Sequence, residues 1–205
     1  MQLVEQHVIQ RTDPRYTVID EAAFKSKNLY NAALYEVRQS FIFQKKYLNY
    51  KKMDRLMQQH EAYKALLAKV AQWVLKGLHG NWVKFFENCK AYRENPSKFT
   101  GRPGLPKYKH KTDGRNLLVY TEQAISKAAL KHGLIKLSML PITIETKQRP
   151  ETIAQVRIVP KNGYYVVEVV YEKQPEPLVE ARNRNGQAQQ PELCADPPMR
   201  VSSTC

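Results

Sequence analysis

The chain has 205 residues, 42% of them hydrophobic, and a formal net charge of +14 at neutral pH. This length and composition support a buried core of one large or two small domains, which excludes a peptide or a fibre. So large a positive excess makes a polyanion the expected partner, and nucleic acid is the usual one.

The sequence gives little support to other classes of protein. It has no run of about eighteen apolar residues, and residues 1–10 lack the basic and then apolar order of a signal peptide, so we expect no membrane contact and a cytoplasmic location. Cys89, Cys194 and Cys205 are odd in number and widely spaced, which indicates reduced thiols. Neither the cysteines nor the five histidines show the spacing of metal ligands, so we expect no metal site, and we expect no cofactor.

The first fifteen residues carry a strand pattern, and a helical block follows over residues 16–97. Residues 2–11 predict a strand that ends at the turn signal Asp13-Pro14. From Asp20 to about Phe43, apolar residues recur at helical spacing, with Asp20 and Ser26 as candidate first-turn or cap residues.

Two further helices are predicted in the same block. Residues 53–59 indicate a short helix, and a longer one begins at Glu61. The apolar residues of the longer helix recur at i, i+3, i+4 and i+7, the spacing of a helix face packed on its neighbours. They are Leu66, Leu67, Val70, Val74, Leu78, Trp82, Phe85 and Phe86.

Residues 101–111, which we call the basic segment, join prolines and glycines to a cationic run. Pro103 and Pro106 favour extended backbone, and Gly101 and Gly104 allow another chain to come close. From position 98 to position 115 six Lys or Arg residues face one acid, Asp113. A solvated loop without a partner is the alternative interpretation of such a run.

We predict that two basic groups bind nucleic acid, because lysines and arginines interleaved with tyrosines combine phosphate neutralisation with base stacking. The tyrosines considered for stacking are Tyr47, Tyr50, Tyr108 and Tyr120. The predicted binding residues are Lys45, Lys46, Lys51, Lys52, Lys98, Arg102, Lys107, Tyr108, Lys109, His110, Lys111 and Arg115.

Residues 98–173 combine the basic segment with a strand-rich part whose apolar period is 2. Asn162-Gly163 between apolar runs predicts a hairpin. We expect an α+β fold in which a small antiparallel β-barrel, including the N-terminal strand, is interrupted by the helical block. Residues 174–205, polar and interrupted by prolines, predict a disordered tail. The strand candidates are residues 117–121, 134–140, 142–146, 152–159 and 164–171.

No catalytic site can be assembled from the sequence. A nuclease needs clustered carboxylates to hold divalent metal, and here the acids are thinly spread among solvent-facing positions. Phosphate-binding glycine loops and the nucleophile elbow are also missing. Binding is thus better supported than catalysis.

Several motifs occur in a recognisable order across residues 3–173. After the short strand come a Phe-x-x-x-Asn helix continuing into Ala-Leu, a helix from Val-Ala-Gln to Trp-x-x-Phe-Phe, a Gly-Arg-Pro-Gly-Leu-Pro-Lys-Tyr-Lys segment, and a strand-rich part. The residues are Phe24, Asn28 or Asn31, Ala33 and Leu34, then residues 70–86, 101–109, 135–137 and 164–166.

In this order the chain resembles the N-terminal half of TnpB (OrfB), transposon-encoded proteins related to type V CRISPR effectors. The resemblance implies a wedge domain, built as a small β-barrel, interrupted by a helical recognition domain. It also implies that these parts hold a guide-type RNA derived from the transposon end and help to read a short DNA motif beside the target. The implied partners are therefore RNA and, with it, DNA.

The resemblance does not extend to the nuclease part of the family. There, a RuvC-like domain with its catalytic carboxylates and a four-cysteine zinc ribbon follow the last barrel strand, whereas here residues 178–182 lead into the polar tail. We therefore expect a truncated or frameshifted transposase-like copy, out of register from about residue 180, without cleavage activity. The alternative is a helical protein-interaction module with a basic surface. The oligomeric state is left open.

Overall fold

A computed structural model describes residues 1–173, which form an α+β fold. The predicted disordered tail and the predicted loss of register near residue 180 lie outside the described residues. Within residues 1–173 the helices are α1 (Arg15–Gln44), α2 (Tyr50–Met57), α3 (Glu61–Lys64), α4 (Ala68–Glu94) and α5 (Lys127–Leu130), and the strands are β1 (Gln2–Gln10), β2 (Leu118–Thr121), β3 (Leu134–Leu137), β4 (Leu140–Glu145), β5 (Ile153–Pro160) and β6 (Tyr164–Glu172).

Two antiparallel sheets organise the strands. The larger has the order β1-β6-β5-β2, and β3 and β4 form the smaller. β1 pairs along its whole length with β6, from Gln2 opposite Glu172 to Gln10 opposite Tyr164. Because the first strand pairs with the last and α1 to α4 lie between β1 and β2 in the chain, the helical block is inserted into a sheet-forming unit.

The strands of residues 1–173 do not form the closed barrel that the sequence led us to expect. β1 and β2 are the edges of the larger sheet, and Ile125 opposite Leu137 is an isolated pair beside the smaller sheet. The physical reason lies in residues 122–130, which fold into a short 3₁₀ turn and α5 after β2. Those helical turns leave no continuous strand to close the sheet.

The predicted hairpin between β5 and β6 is confirmed. Gly163 has a φ of 86°, in the left-handed region that glycine adopts without steric cost. The Lys161 N–H donates to the Tyr164 carbonyl oxygen at 2.9 Å and closes the turn. The Asn-Gly signal thus located this turn correctly from local chemistry alone.

The helix boundaries differ from the predicted ones at both long helices. α1 begins at Arg15, whose N–H donates to Asp13 Oδ1 at 2.8 Å. Asp20 and Ser26 therefore lie inside the helix and not at its cap. The helix predicted from Glu61 is interrupted, because α3 ends at Lys64 and α4 begins at Ala68.

α1 packs against both of the protein's apolar cores. Its first half contributes Ile19 and Ala23 to a core shared with the two sheets. Its second half contributes Leu34 to a core of helices α1 to α4, in which Trp82 of α4 is fully buried. At about 1.5 Å per residue α1 is about 45 Å long, so one helix positions the sheets and the helical block against each other.

Candidate nucleic-acid interface

The basic segment lies along α1, and Asn31 holds its backbone. Asn31 Nδ2 donates to the Lys109 carbonyl oxygen at 2.9 Å, and Asn31 Oδ1 accepts from the Lys109 N–H at 2.9 Å. An amide side chain has both a donor and an acceptor, so it satisfies both main-chain groups of one extended residue. The backbone at Lys109 is therefore held by a helix residue 78 positions away in the chain.

Further α1 side chains hold the chain beyond Lys109. Lys27 Nζ donates to the Lys111 carbonyl oxygen at 2.5 Å, and Asn116 Nδ2 donates to Ser26 Oγ at 3.0 Å. The Asn116 N–H donates to the carbonyl oxygen of position 23 at 3.1 Å. The contacts run from position 31 to position 23 of α1 as the chain advances from 109 to 116, so residues 109–116 are antiparallel to about 12 Å of helix.

Arg115, one of the predicted binding residues, is used inside the protein. Its Nε and Nη2 donate to the two Asp20 carboxylate oxygens at 2.8 and 2.7 Å, and its Nη1 donates to the Thr112 and Gly114 carbonyl oxygens. Tyr165 Oη donates to the same carboxylate at 2.6 Å. These bonds, chiefly those of Arg115, hold the pKa of Asp20 below its ordinary value. We therefore assign Arg115 a structural role.

Lys27 adds a buried positive charge beneath the basic segment. It is 2% exposed, and its Nζ lies 3.7 Å from the centre of the Phe24 ring. It makes no ion pair with a carboxylate of the described chain. Burial, together with the charges of Arg115 and Lys111, lowers the pKa of Lys27. The positive potential at the basic segment therefore comes from α1 as well as from the segment itself.

The cationic side chains of the basic segment differ in their access to solvent. Arg102, Lys107 and Lys111 are exposed, and among residues 1–173 none of them is ion-paired with a carboxylate. Lys109 is half-buried with its Nζ 5.3 Å from the centre of the Tyr30 ring, and burial lowers its pKa. Three of the predicted cations are thus free for phosphate, and one of them, Lys111, stands on backbone that α1 holds.

The remaining predicted residues near the basic segment fall into two groups. Tyr108 is 45% exposed, with the Arg38 guanidinium 5.1 Å from its ring centre, and Lys98 is exposed beyond the end of α4. His110 instead serves its own turn, where its Nδ1 accepts from the Asp113 N–H at 3.2 Å. Tyr108 and Lys98 are accessible to a ligand, whereas His110 mainly shapes the chain after it.

The second predicted group, which we call the lysine loop, consists of Lys45, Lys46, Lys51 and Lys52, all exposed. Asn49 caps α2 by accepting from the Lys52 N–H at 3.1 Å, and the first turn of α2 contains no acidic residue. A helix N-terminus carries partial positive charge, so lysines there add to that charge instead of offsetting it. A bound anion would relieve this local repulsion.

Most of the tyrosines predicted to stack on bases are buried or contact other side chains of the protein. The prediction is wrong for Tyr120, which is 4% exposed in the sheet core. Tyr47 is hydrogen-bonded to His79 Nδ1 at 2.6 Å, and burial raises the Tyr47 pKa to about 12. The Tyr50 ring has Lys76 Nζ 5.8 Å from its centre. Tyr108 is the best exposed of the four.

The residues that hold the basic segment were not recognised as site residues from the sequence. Ser26 was considered only as a cap, Asn31 only as part of a helix motif, and Lys27 not at all. Their signal is a stripe of polar positions in the middle of a helix that otherwise buries apolar residues on that side. Such a stripe indicates a polar partner, here the backbone of the basic segment.

No protein-family model matches the chain, and neither does any curated protein. Within residues 1–173 no three His, Cys, Asp or Glu side chains are grouped as a metal ion requires. None of the helices described here has the length and apolar content needed to cross a bilayer. The fold and site define an α+β protein in which a segment with exposed cations is held against the longest helix.

Proposed function

We propose that residues 1–173 bind nucleic acid, as the N-terminal part of a cytoplasmic TnpB-like, RNA-guided transposon protein. The partners are a guide-type RNA and DNA. One observation carries the proposal: of the ten predicted Lys and Arg binding residues, only Arg115 is ion-paired with a carboxylate in the described chain. Nine cations left without internal acidic partners are suited to a polyanion.

The backbone contacts of α1 support the same function. Lys111 extends from backbone that Lys27 holds, and Asn31 holds the backbone at Lys109, two positions after Lys107. Ordering a loop on binding costs free energy, and a loop that is ordered beforehand avoids that cost. The C-terminal end of the basic segment, from Lys109 to Lys111, is thus ordered before phosphate binds.

The sheets give the proposal its architecture. We propose that the four-stranded and two-stranded sheets together take the place of the wedge-like barrel, with α1 to α4 as the helical recognition part. In support, the two sheets share one apolar core, and Glu5 of β1 accepts from Thr146 Oγ1, next to β4, at 3.1 Å. The role assigned to residues 1–173 is binding without cleavage.

A salt series tests the electrostatic mechanism. If about six cations meet phosphate, the slope of log K against log salt is about −4 for single strands and about −5 for duplex. The triple variant Arg102→Ala, Lys107→Ala, Lys111→Ala is expected to weaken binding and flatten the slope. The matched control replaces three exposed lysines with alanine: Lys127 of α5, Lys131 directly after α5, and Lys136 of β3. Equal losses in both triple variants would contradict the proposed surface.

A protein-interaction module is the second candidate, favoured by exposed apolar side chains on α1. Tyr35 is 52% exposed and Phe43 74%, and Ile42 lies seven positions after Tyr35 on the same side of the helix. Size-exclusion chromatography with and without complete RNase and DNase digestion separates the two functions. A large complex that survives digestion would favour a protein partner.

A further inference from the structure

A cleft of about 300 Å³ lies between α4 and the basic segment. Its volume is at the lower end of the range of about 300–1,000 Å³ found for small-molecule pockets. One wall is a single face of α4, because its residues recur at i, i+3, i+4 and i+7. The α4 residues are Asn81, Lys84, Phe85 and Asn88, and Tyr30, Gly104, Pro106 and Lys107 complete the lining.

The cleft presents two amide side chains. Asn81 Nδ2 donates to Tyr30 Oη at 3.2 Å, which orients the amide and leaves its carbonyl oxygen and second N–H available. Asn88, two helical turns further along α4, is exposed. Each amide therefore offers a ligand both a donor and an acceptor. An anionic ligand alone would need only donors.

Apolar and cationic groups complete the chemistry of the cleft. Phe85 is half-buried, and its ring is fixed by edge-on packing on Trp82, with centroids 5.8 Å apart. Lys84 and Lys107 are exposed on opposite walls, without ion pairs to carboxylates in residues 1–173. Gly104 has open space where a Cβ would stand, so a ligand can come close to the backbone.

We propose that this cleft binds one unstacked nucleotide of a single-stranded nucleic acid. The base packs on Phe85 and pairs its edge with the amides of Asn81 and Asn88, and Lys84 and Lys107 bind the flanking phosphates. Edges of unpaired bases carry donors and acceptors side by side, which is the combination that the amides match. The inference rests on the proposed function and assigns a specific nucleotide subsite to it.

The test compares three 12-mer probes: a single-stranded RNA, the DNA of the same sequence, and a deoxyribose-phosphate chain without bases. The variant is Asn81→Ala with Asn88→Ala, and the control replaces two exposed amides elsewhere, Gln59→Ala with Gln123→Ala. We expect the variant to lose about tenfold in affinity for a probe with bases and nothing for the abasic chain. The control should bind all three probes like the wild type.

A second pair of variants tests the phosphate contact. Lys84→Ala should weaken binding of all three probes, whereas Lys90→Ala, an exposed lysine on the same helix, should not. Circular dichroism and urea unfolding confirm that each variant is folded.

The outcomes separate the subsite from the proposed function. If the amide variant binds the base-containing probes like the wild type, or loses equal affinity for the abasic chain, the nucleotide subsite is wrong while the proposed function stands. If the wild type binds none of the three probes, both are wrong. If the amide variant loses affinity for the RNA probe alone, the subsite is supported and its nucleotide comes from RNA. If it loses affinity equally for the RNA and DNA probes, the subsite is supported and accepts a nucleotide of either.

Discussion

The Asn31 side chain makes both main-chain hydrogen bonds of Lys109, each at 2.9 Å. This pair of bonds joins the longest helix to the C-terminal part of the basic segment. Replacing Asn31 with alanine should lower the free energy of unfolding by about 2 kcal/mol, since two hydrogen bonds of about 1 kcal/mol each are lost.

Asn31→Ala should also weaken nucleic-acid binding, because the segment must then be ordered on binding. Urea unfolding and fluorescence anisotropy with a labelled RNA measure the two effects. Asn28→Ala, three positions earlier on α1 at an exposed site, is the matched control. An Asn31 variant with unchanged affinity would show that the ordered backbone contributes nothing to binding.

Asp20→Asn should destabilise the protein by about 2 kcal/mol at pH 7, because the bidentate Arg115 pair and the Tyr165 hydrogen bond lose their charged acceptor. The folded-state pKa of Asp20 is below its ordinary value. The Asp20 carboxylate therefore contributes its full stabilisation of the fold above the ordinary aspartate pKa of about 3.9. This stabilisation is lost as the pH falls through the folded-state pKa of Asp20.

Urea unfolding of wild type and Asp20→Asn at pH 7 and at about pH 3 measures this dependence. The difference in the free energy of unfolding should shrink at the lower pH. An equal difference at both pH values would show that the carboxylate charge is not the stabilising element.

Lys27→Met removes a buried charge that has no carboxylate partner within residues 1–173, together with one hydrogen bond to the Lys111 carbonyl oxygen. Because burying an unpaired charge costs more than one hydrogen bond of about 1 kcal/mol contributes, the free energy of unfolding should rise by about 1 kcal/mol at pH 7. Burial lowers the folded-state pKa of Lys27, so the folded wild type binds fewer protons than the unfolded chain as the pH rises.

The free energy of unfolding of Lys27→Met should therefore exceed that of the wild type by less and less as the pH rises from the folded-state pKa of the lysine to its ordinary pKa of about 10.4. Thermal or urea unfolding of both proteins at pH 7 and at about pH 10 checks the direction. If the difference in the free energy of unfolding grew with pH, Lys27 could not be a buried cation that lacks a carboxylate partner in the described residues.

Gly114→Ala should destabilise the turn after the basic segment. A Cβ at position 114 would lie 2.4 Å from the His110 carbonyl oxygen and 2.8 Å from the His110 nitrogen, so the backbone must move. We expect a loss of about 2 kcal/mol, in the range of backbone clashes. Gly104→Ala is the control, since nothing lies within 4 Å of its added Cβ. Equal unfolding midpoints for the two variants would show that the turn at His110 tolerates a side chain.

Local chemistry accounts for the parts of the fold that the sequence predicted well. The Asn162-Gly163 turn depends on a left-handed φ at one glycine, and the apolar face of α4 depends on a helical period. The turn and the apolar face can both be predicted because each depends on residues that are close together in the sequence. The start of α1 was placed too late, because residues 15–19 fall before the apolar repeat taken as the helix, although Ile19 packs in the sheet core.

The candidate site was predicted only in part, because some of its contacts join residues that are far apart in the sequence. Arg102, Lys107 and Lys111 could be recognised as exposed cations from the charge run in which they stand. The ion pair between Arg115 and Asp20 could not be predicted, because the two residues are 95 positions apart. Nothing in the residues around either one indicates the other as its partner.

By itself, the sequence determined the net positive charge, the alternation of strand and helix patterns, and the position of the cationic run, because each is a property of composition or of near neighbours. Only the tertiary structure decided which cations remain free, which tyrosines are buried, and that the sheets stay open. Those outcomes depend on contacts between distant residues, such as Asn31 with Lys109 and Asp20 with Arg115, which form only when the chain has folded.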